Sequence, residues 1–273
     1  MYRFLSLQEI SIKQLVSCLN SAFADYEQPI CFTPESLEYY LTASAVDLFL
    51  SYGAFVNEQP IGVILNSTGV YHGEQVVFDA GTGIVPAHRG QKVFSMLFDF
   101  TVEQLHQRGI TKYYLEVLQS NKRAVSIYTK KEFSVRRAYS VLTASGAEPE
   151  RKEDVPIIAY EAFRAFPTTF SVEPSFEHTS YNIEQNPHLY EVICLDGKAY
   201  CIYAKRNGQL IQMHYNDLSA LKDVISALLQ RYPRAMAKNV DCDCMDVIQL
   251  LTELGFVEIL KQYEMVRDIV PVK

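Results

Sequence analysis

Gly81-Thr82-Gly83-Ile84-Val85-Pro86-Ala87-His88-Arg89-Gly90-Gln91-Lys92-Val93 is the stretch on which the fold turns. β-rich residues enter a short loop broken by Pro86 and Gly90. The segment from Gly90 to Arg108 then sets Val93, Met96, Leu97, Phe100, Val102 and Leu105 on a broad apolar face, with Gly109 as its stop. A strand that runs through a loop directly into a helix presents several backbone N–H groups at the positive end of a helix dipole, a receptor for phosphate oxygens. Arg89, Gly90 and Lys92 suit that role. The plainer alternative is a turn in which Gly90 permits the bend and Arg89 is solvated.

Working outward, Lys112 to Val117 predicts a strand and Asn121 to Lys131 a helix, which brings Asn121, Ala124 and Tyr128 to one side at spacings i, i+3 and i+7. Phe133 to Leu142 continues as a strand. Upstream, apolar spacing predicts a helix over 8–23, and Thr33-Pro34 starts a second with Thr33 as N-cap. Runs at Leu48 to Val56, Ile61 to Leu65 and Gln75 to Ile84 predict an antiparallel meander. Beyond a composition break at 143–175, strands are expected at 189–195, 199–204, 209–214, 235–240 and 256–266, and helices at 218–231 and 245–254.

This second series partly repeats the first. At a constant offset of 123, Ala124 to Phe133 lies over Val247 to Phe256, with Glu116 on Asn239, Val117 on Val240, Asn121 on Cys244 and Tyr128 on Leu251. The expected organisation is therefore two related domains, 1–145 and 171–273, joined by a connector at 146–170.

Composition bounds the function. The 273 residues are 48% apolar and 21% charged with a net charge of −7, which describes a globular chain and argues against a broad basic surface for nucleic acid or an anionic membrane. Residues 1–145 carry a net −1 and 146–273 a net −6, so the acidity sits in the second half. No run approaches the roughly 18 apolar residues that span a bilayer. The six cysteines form no Cys-x-x-Cys pair, and Cys242-Asp243-Cys244 reads as a loop with buried thiols in preference to a metal site. A reducing, cytoplasmic setting without metal, nucleic acid or membrane partners is the expectation, for a monomer or homodimer.

Two motifs in order, the Ile84-Val85-Pro86 strand end with its Arg89-Gly90-x-x loop and the Asn-x-x-Ala-x-x-x-Tyr-x-x-x-x-Phe run at Asn121 to Phe133, give residues 45–142 a sequence that resembles the GNAT superfamily of acyl-CoA-dependent N-acetyltransferases. The resemblance implies two GNAT-like α+β domains, each a mostly antiparallel mixed central sheet flanked by helices. It also implies transfer of an acetyl group from acetyl-CoA directly to a small-molecule or peptide amine. The backbone at Ile84, Val85 and Pro86 would take the pantetheine arm, and the N–H groups of Arg89, Gly90, Gln91, Lys92, Val93 and Phe94 the pyrophosphate. Asn121 and Ala124 would contact the pantetheine, and Tyr128 would protonate the departing thiolate. Lys92, Phe94 and Glu132 depart from the family, which has Gly, Gly or Ala, and Gly at these places; N–H donors there survive if the local φ values are negative.

Each role has a structural rival. Tyr128 also reads as a helix-surface aromatic, and Asn121 as an N-cap. An amine must lose a proton before attack, and Glu116 is the first choice of base, with Asp79 behind it. A structural hydrogen-bonding role fits Glu116 equally. His88 is assigned to the surface. Lys122, Arg123, Lys130, Lys131, Arg136 and Arg137 form a basic group suited to the 3′-phosphate of CoA or to a solvated face. The second repeat has only His214-Tyr215-Asn216-Asp217 in place of the Arg-Gly loop and is expected to be degenerate, forming a wall of the acceptor pocket. A non-catalytic acyl-CoA sensor using the same fold is the alternative function.

Overall fold

A computed structural model of the protein describes residues 2–25, 31–146, 155–164, 166–167, 169–195 and 197–269. Packing divides the chain into two compact units, one made of residues through Leu115 together with those from Val266, the other of Glu116–Met265.

In the first unit, β1 (Arg3–Ser6), β2 (Tyr52–Val56), β3 (Gln59–Tyr71) and β4 (Glu74–Ile84) pair antiparallel in that order, and the first residues of β5 (Lys112–Leu118) lie parallel to β4. Helix α1 (Ile12–Phe23) starts at a capping box of Ser11 and Gln14 and buries Leu15, Cys18, Leu19 and Ala22, one turn apart, against β3. Helix α2 (Pro34–Ala43) has Thr33 as N-cap and adds Leu37 to the same core. Helix α3 (Val93–Gln107) follows β4 and ends before Gly109. The sequence reading missed β1 and ended β3 too early.

In the second unit, β6 (Ser134–Ala144) lies between β12 (Phe256–Asp268) and β11 (Met236–Asp241), and β10 (Leu210–Tyr215), β9 (Ala199–Ala204), β8 (Tyr190–Leu195) and β7 (Ile157–Ala159) follow. Helices α4 (Lys122–Lys130), α5 (Ser180–Glu184), α6 (Leu218–Arg231) and α7 (Met245–Glu253) accompany this sheet. Its core joins Leu142 and Ala144 of β6 to Val224, Ile225 and Leu228 of α6 and Val247 and Leu251 of α7. Each unit is thus a mostly antiparallel mixed sheet with helices.

The units do not follow chain order. Strand β6 belongs by sequence to the first repeat, yet it pairs antiparallel with β11, Leu142 opposite Ala237. Beyond β12, Ile269 donates to the Thr111 carbonyl at 2.7 Å in the first unit. The expected 146–170 connector overlaps the undescribed 147–154, and its described part includes β7 and a 3-10 turn at Tyr160–Ala162.

Candidate functional site

Strand β4 changes partners along its length. Its parallel pairing with β5 runs from Val76↔Lys112 to Asp79↔Leu115, and among the described residues Gly81–Ile84 pair only with β3. The break is a bulge: Leu65 faces Gly81 while the next residue, Asn66, faces Asp79, which leaves Ala80 extra. Asp79 fixes the bulge by accepting from Gly81 N–H at 3.0 Å and from the Thr82 hydroxyl at 2.7 Å, a structural post that accounts for this carboxylate. The Tyr40 hydroxyl donates to the Ala80 carbonyl from α2. Val85 N–H bonds to the Ile61 carbonyl, so by antiparallel alternation the peptide groups of Ile84 and Thr82 point away from β3.

The loop beyond is held from outside. Arg89 Nε donates to the Ile84 carbonyl at 2.9 Å, Nη2 to the Ala22 carbonyl at the end of α1, and the guanidinium forms a paired bridge with Asp25. Arg89 N–H itself bonds to the Pro86 carbonyl. Arg89 is therefore a clamp that shapes the loop, and neither a solvated side chain nor an open donor. Gln91 is tied to Tyr2 and to the Ala87 carbonyl. Gly90 and Lys92 both adopt left-handed backbone, φ +75° and +61°. The condition of a negative φ is not met at Lys92: this lysine takes a left-handed conformation that favours glycine and caps α3 without a side-chain bond. The first intrahelical bond runs from Met96 N–H to the Lys92 carbonyl. No atom lies within 4 Å of where a Gly90 Cβ would stand, so the backbone is open to a ligand there. Val93 is buried, and Phe94 packs on Phe98 with ring centroids 5.7 Å apart. His88 meets Tyr2 edge-on.

Glu116, Asn121, Ala124 and Tyr128 lie in the second unit. Asn121 Oδ1 accepts from Ala124 N–H at 3.0 Å, so Asn121 is the N-cap of α4, and the Tyr128 ring packs edge-on against Phe133 at 5.6 Å. Glu116 is buried and accepts from Asn239 Nδ2 on Oε1 (2.6 Å) and from Gln262 Nε2 on Oε2 (2.8 Å), with Lys238 Nζ 3.8 Å away. Burial pushes its carboxyl up to about 7, more than Lys238 and Asn239 offset. Lys238 is itself bound to Glu177. Burial raises Glu177 and the ammonium overcomes it, so that carboxyl ends below its ordinary range. Sequence reasoning missed Lys238, Glu177 and Gln262; a Lys-Asn pair inside the strand Met236–Asp241 was the one available signal.

The basic group at 122–137 divides. Arg136 and Arg137 hold the buried Glu264, and Arg137 also reaches the carbonyls of Glu173 and Pro174, so neither belongs to a solvated face. Lys122, Arg123 and Lys130 are exposed.

In the second repeat, parallel pairing of β10 with β11 occurs at Leu210↔Ala237, and beyond it residues 171–178 lie against both strands. Ser171 Oγ accepts from Tyr215 N–H (2.9 Å), His214 Nδ1 accepts from Ser171 N–H (3.2 Å), Ser175 Oγ accepts from Asn239 Nδ2 (3.1 Å), and the His178 carbonyl accepts from Gln212 (3.1 Å). Residues 171–178 are thus tied by these hydrogen bonds to β10 and β11. Among the described residues no cluster of His, Cys, Asp or Glu could hold a metal ion, and no helix is long and apolar enough to cross a membrane.

Comparison with known proteins agrees with this architecture. The acetyltransferase (GNAT) family model matches residues 13–133. No curated protein sequence matches the chain. Among solved structures, a putative acetyltransferase from Pyrococcus horikoshii is similar over 98% of this chain and 89% of its own, at 12% identity and a TM-score of 0.71. A GCN5-related N-acetyltransferase from Sphaerobacter thermophilus covers 99% and 96%, at 12% identity and 0.65. A tandem GNAT protein from the clavulanic acid biosynthesis pathway covers the whole of both chains, at 10% identity and 0.65. Residues 13–133 thus match the acetyltransferase (GNAT) family model, in a chain whose fold throughout is similar to that of a tandem GNAT protein.

Proposed function

We propose that the protein is an N-acetyltransferase that moves the acetyl group of acetyl-CoA to an amine in one direct step. The observation that carries this reading is the bulge at Ala80, which ends the pairing of β4 with β5 and turns the peptide groups of Thr82 and Ile84 outward. An extended amide chain such as pantetheine can add to that edge as a strand would. The loop clamped by Arg89 then offers the backbone from Gly90 to Phe94 to a pyrophosphate, with the Lys92 charge beside it.

The reaction needs an amine freed of a proton, attack of its nitrogen on the thioester carbon, cleavage of the C–S bond and a proton for the leaving thiolate. Glu116, whose carboxyl is raised to about 7, takes the proton from the amine side, and Tyr128 gives one to the thiolate. Asn121 and Ala124, at the first turn of α4, serve the pantetheine by family analogy. The cytoplasm is the proposed location, and the acceptor a small-molecule or peptide amine.

Thermal unfolding with CoA and acetyl-CoA, followed by thiol release over a panel of amines, tests this. Stabilisation by CoA with thiol release on at least one amine is expected. Stabilisation without release on any amine would assign the protein as an acyl-CoA sensor, and no stabilisation would refute both readings.

A further inference from the structure

Three charged side chains meet inside the second unit from three parts of the chain. Glu116 comes from β5, Lys238 from β11, and Glu177 from the 3-10 turn Phe176–His178 in the strap 171–178. Lys238 Nζ stands 3.8 Å from Glu116 and is in direct contact with Glu177. The other groups facing Glu116 are Asn239 of β11 and Gln262 and Glu264 of β12, the last already neutralised by Arg136 and Arg137. His178 adjoins on the strap. With one ammonium among Glu116 and Glu177, a single carboxylate can be fully paired, and the other gains by holding a proton.

We propose that Glu177 and Lys238 are positioning residues for Glu116: the strap 171–178, lodged against β10 and β11, keeps Glu177 on the Lys238 ammonium and so leaves Glu116 as the carboxylate that takes the proton. The inference rests on the acyl-transfer reading for its use but not for its chemistry. The strap is anchored independently of the charges by Ser171, Ser175 and the His178 carbonyl, which accounts for how a segment without a long helix or strand can hold a carboxylate in place. Hydration of the Glu116 carboxyl is limited by its burial and by the amide donors on both oxygens. Its proton affinity is therefore governed by the charges beside it.

The test is a carboxyl-carbon NMR titration of the full chain labelled at glutamate Cδ, the Glu116 signal being the one lost in Glu116→Gln. In the wild type its midpoint should lie near 7. Glu177→Gln, which keeps the shape and frees Lys238, should lower the midpoint by about one pH unit or more. Lys238→Met should raise it, and Lys238→Arg should return it towards the wild type. A Glu116 signal that titrates with the exposed carboxylates, or that does not move in Glu177→Gln, overturns the proposal; Glu177→Gln is the deciding variant if Lys238→Met fails to fold. Because the titration uses no acyl donor, a failure of thiol release on every amine refutes acyl transfer and leaves this outcome intact.

Discussion

Lys92→Gly should make the free protein more stable and its hold on CoA weaker. Lys92 sits at φ +61°, ψ 11° as the N-cap of α3, with no side-chain capping bond to lose. A left-handed backbone costs a residue with a Cβ about 1–2 kcal/mol relative to glycine. Glycine in turn surrenders about 0.4–1 kcal/mol through its greater freedom in the unfolded chain. The difference leaves a gain of about 0.5–1 kcal/mol, or roughly 2 °C in Tm for a chain of this size. Gly90→Ala reverses the same two effects at φ +75°, in a place with no neighbour within 4 Å, and should cost about as much. An exposed ion pair between Lys92 and a phosphate is worth about 0.2–1 kcal/mol, so losing Lys92 should weaken CoA by up to roughly fivefold. Urea unfolding of the free protein and calorimetric titration with CoA read the two effects separately. Destabilisation by Lys92→Gly, or unchanged CoA affinity, would refute the argument that this lysine accepts a strained backbone while serving a phosphate.

Tyr128→Phe should lower turnover at least tenfold, within the range for general acid catalysis, while the calorimetric affinity for CoA stays within twofold; wild-type turnover would remove Tyr128 from the chemistry. His178 is buried beside Lys238, and burial first, then that ammonium, pushes its imidazole down to about 3. The folded state keeps it neutral while the unfolded chain protonates near 6.5, so its contribution is complete above that pH and is lost as pH falls from 6.5 towards 3. The urea midpoint should accordingly fall less steeply between pH 7 and 5 in His178→Gln than in the wild type, and equal slopes would count against this assignment. A fragment of residues 1–145 lacks β11, the strand that covers the buried Tyr139 to Leu142 of β6, and lacks Ile269 against Thr111. It should be unfolded or aggregated by circular dichroism and gel filtration; a soluble, cooperatively melting fragment would contradict the division into units described above.

Periodicity made most of the elements legible. Helices α4 and α7 emerge from the sequence because their apolar residues recur every turn, and the offset of 123 carries Lys122–Lys130 onto Met245–Glu253. Strand β3 was cut short because Asn66-Ser67-Thr68-Gly69 has loop composition. In the fold Asn66 bonds to the Leu50 carbonyl and the Tyr113 hydroxyl, and Ser67 to the Ser44 carbonyl, so long-range partners make a polar run suitable for burial. The two motif segments were found, but the clamp made by Arg89 was not, because its carboxylate partner lies 64 positions away at Asp25. The strap escaped for the same reason. Ser171 to His178 has the composition of a linker, and what makes it structural is a set of polar groups on β10 and β11 that local sequence does not reveal.

The duplicated halves keep one backbone and divide its chemistry. The N-caps of α4 and α7 have nearly the same dihedrals, −78°, 67° at Asn121 and −81°, 64° at Cys244, yet only Asn121 caps with its side chain. After each helix the chain turns through a left-handed residue, Glu132 at φ +66° and Gly255 at φ +86°, so the first copy tolerates a strained residue where the second has the permissive one. The offset also equates Glu116 with Asn239, and these two residues are hydrogen-bonded to each other at 2.6 Å. Had both copies carried glutamate there, two carboxylates would face each other beside Glu177 with one ammonium among three acids, and ionising all of them in a buried site would be prohibitive. An amide in one copy removes that repulsion and donates a hydrogen bond. The divergence at Asn239 thus leaves Glu116 as the one carboxylate that the two equivalent positions contribute beside Lys238 and Glu177.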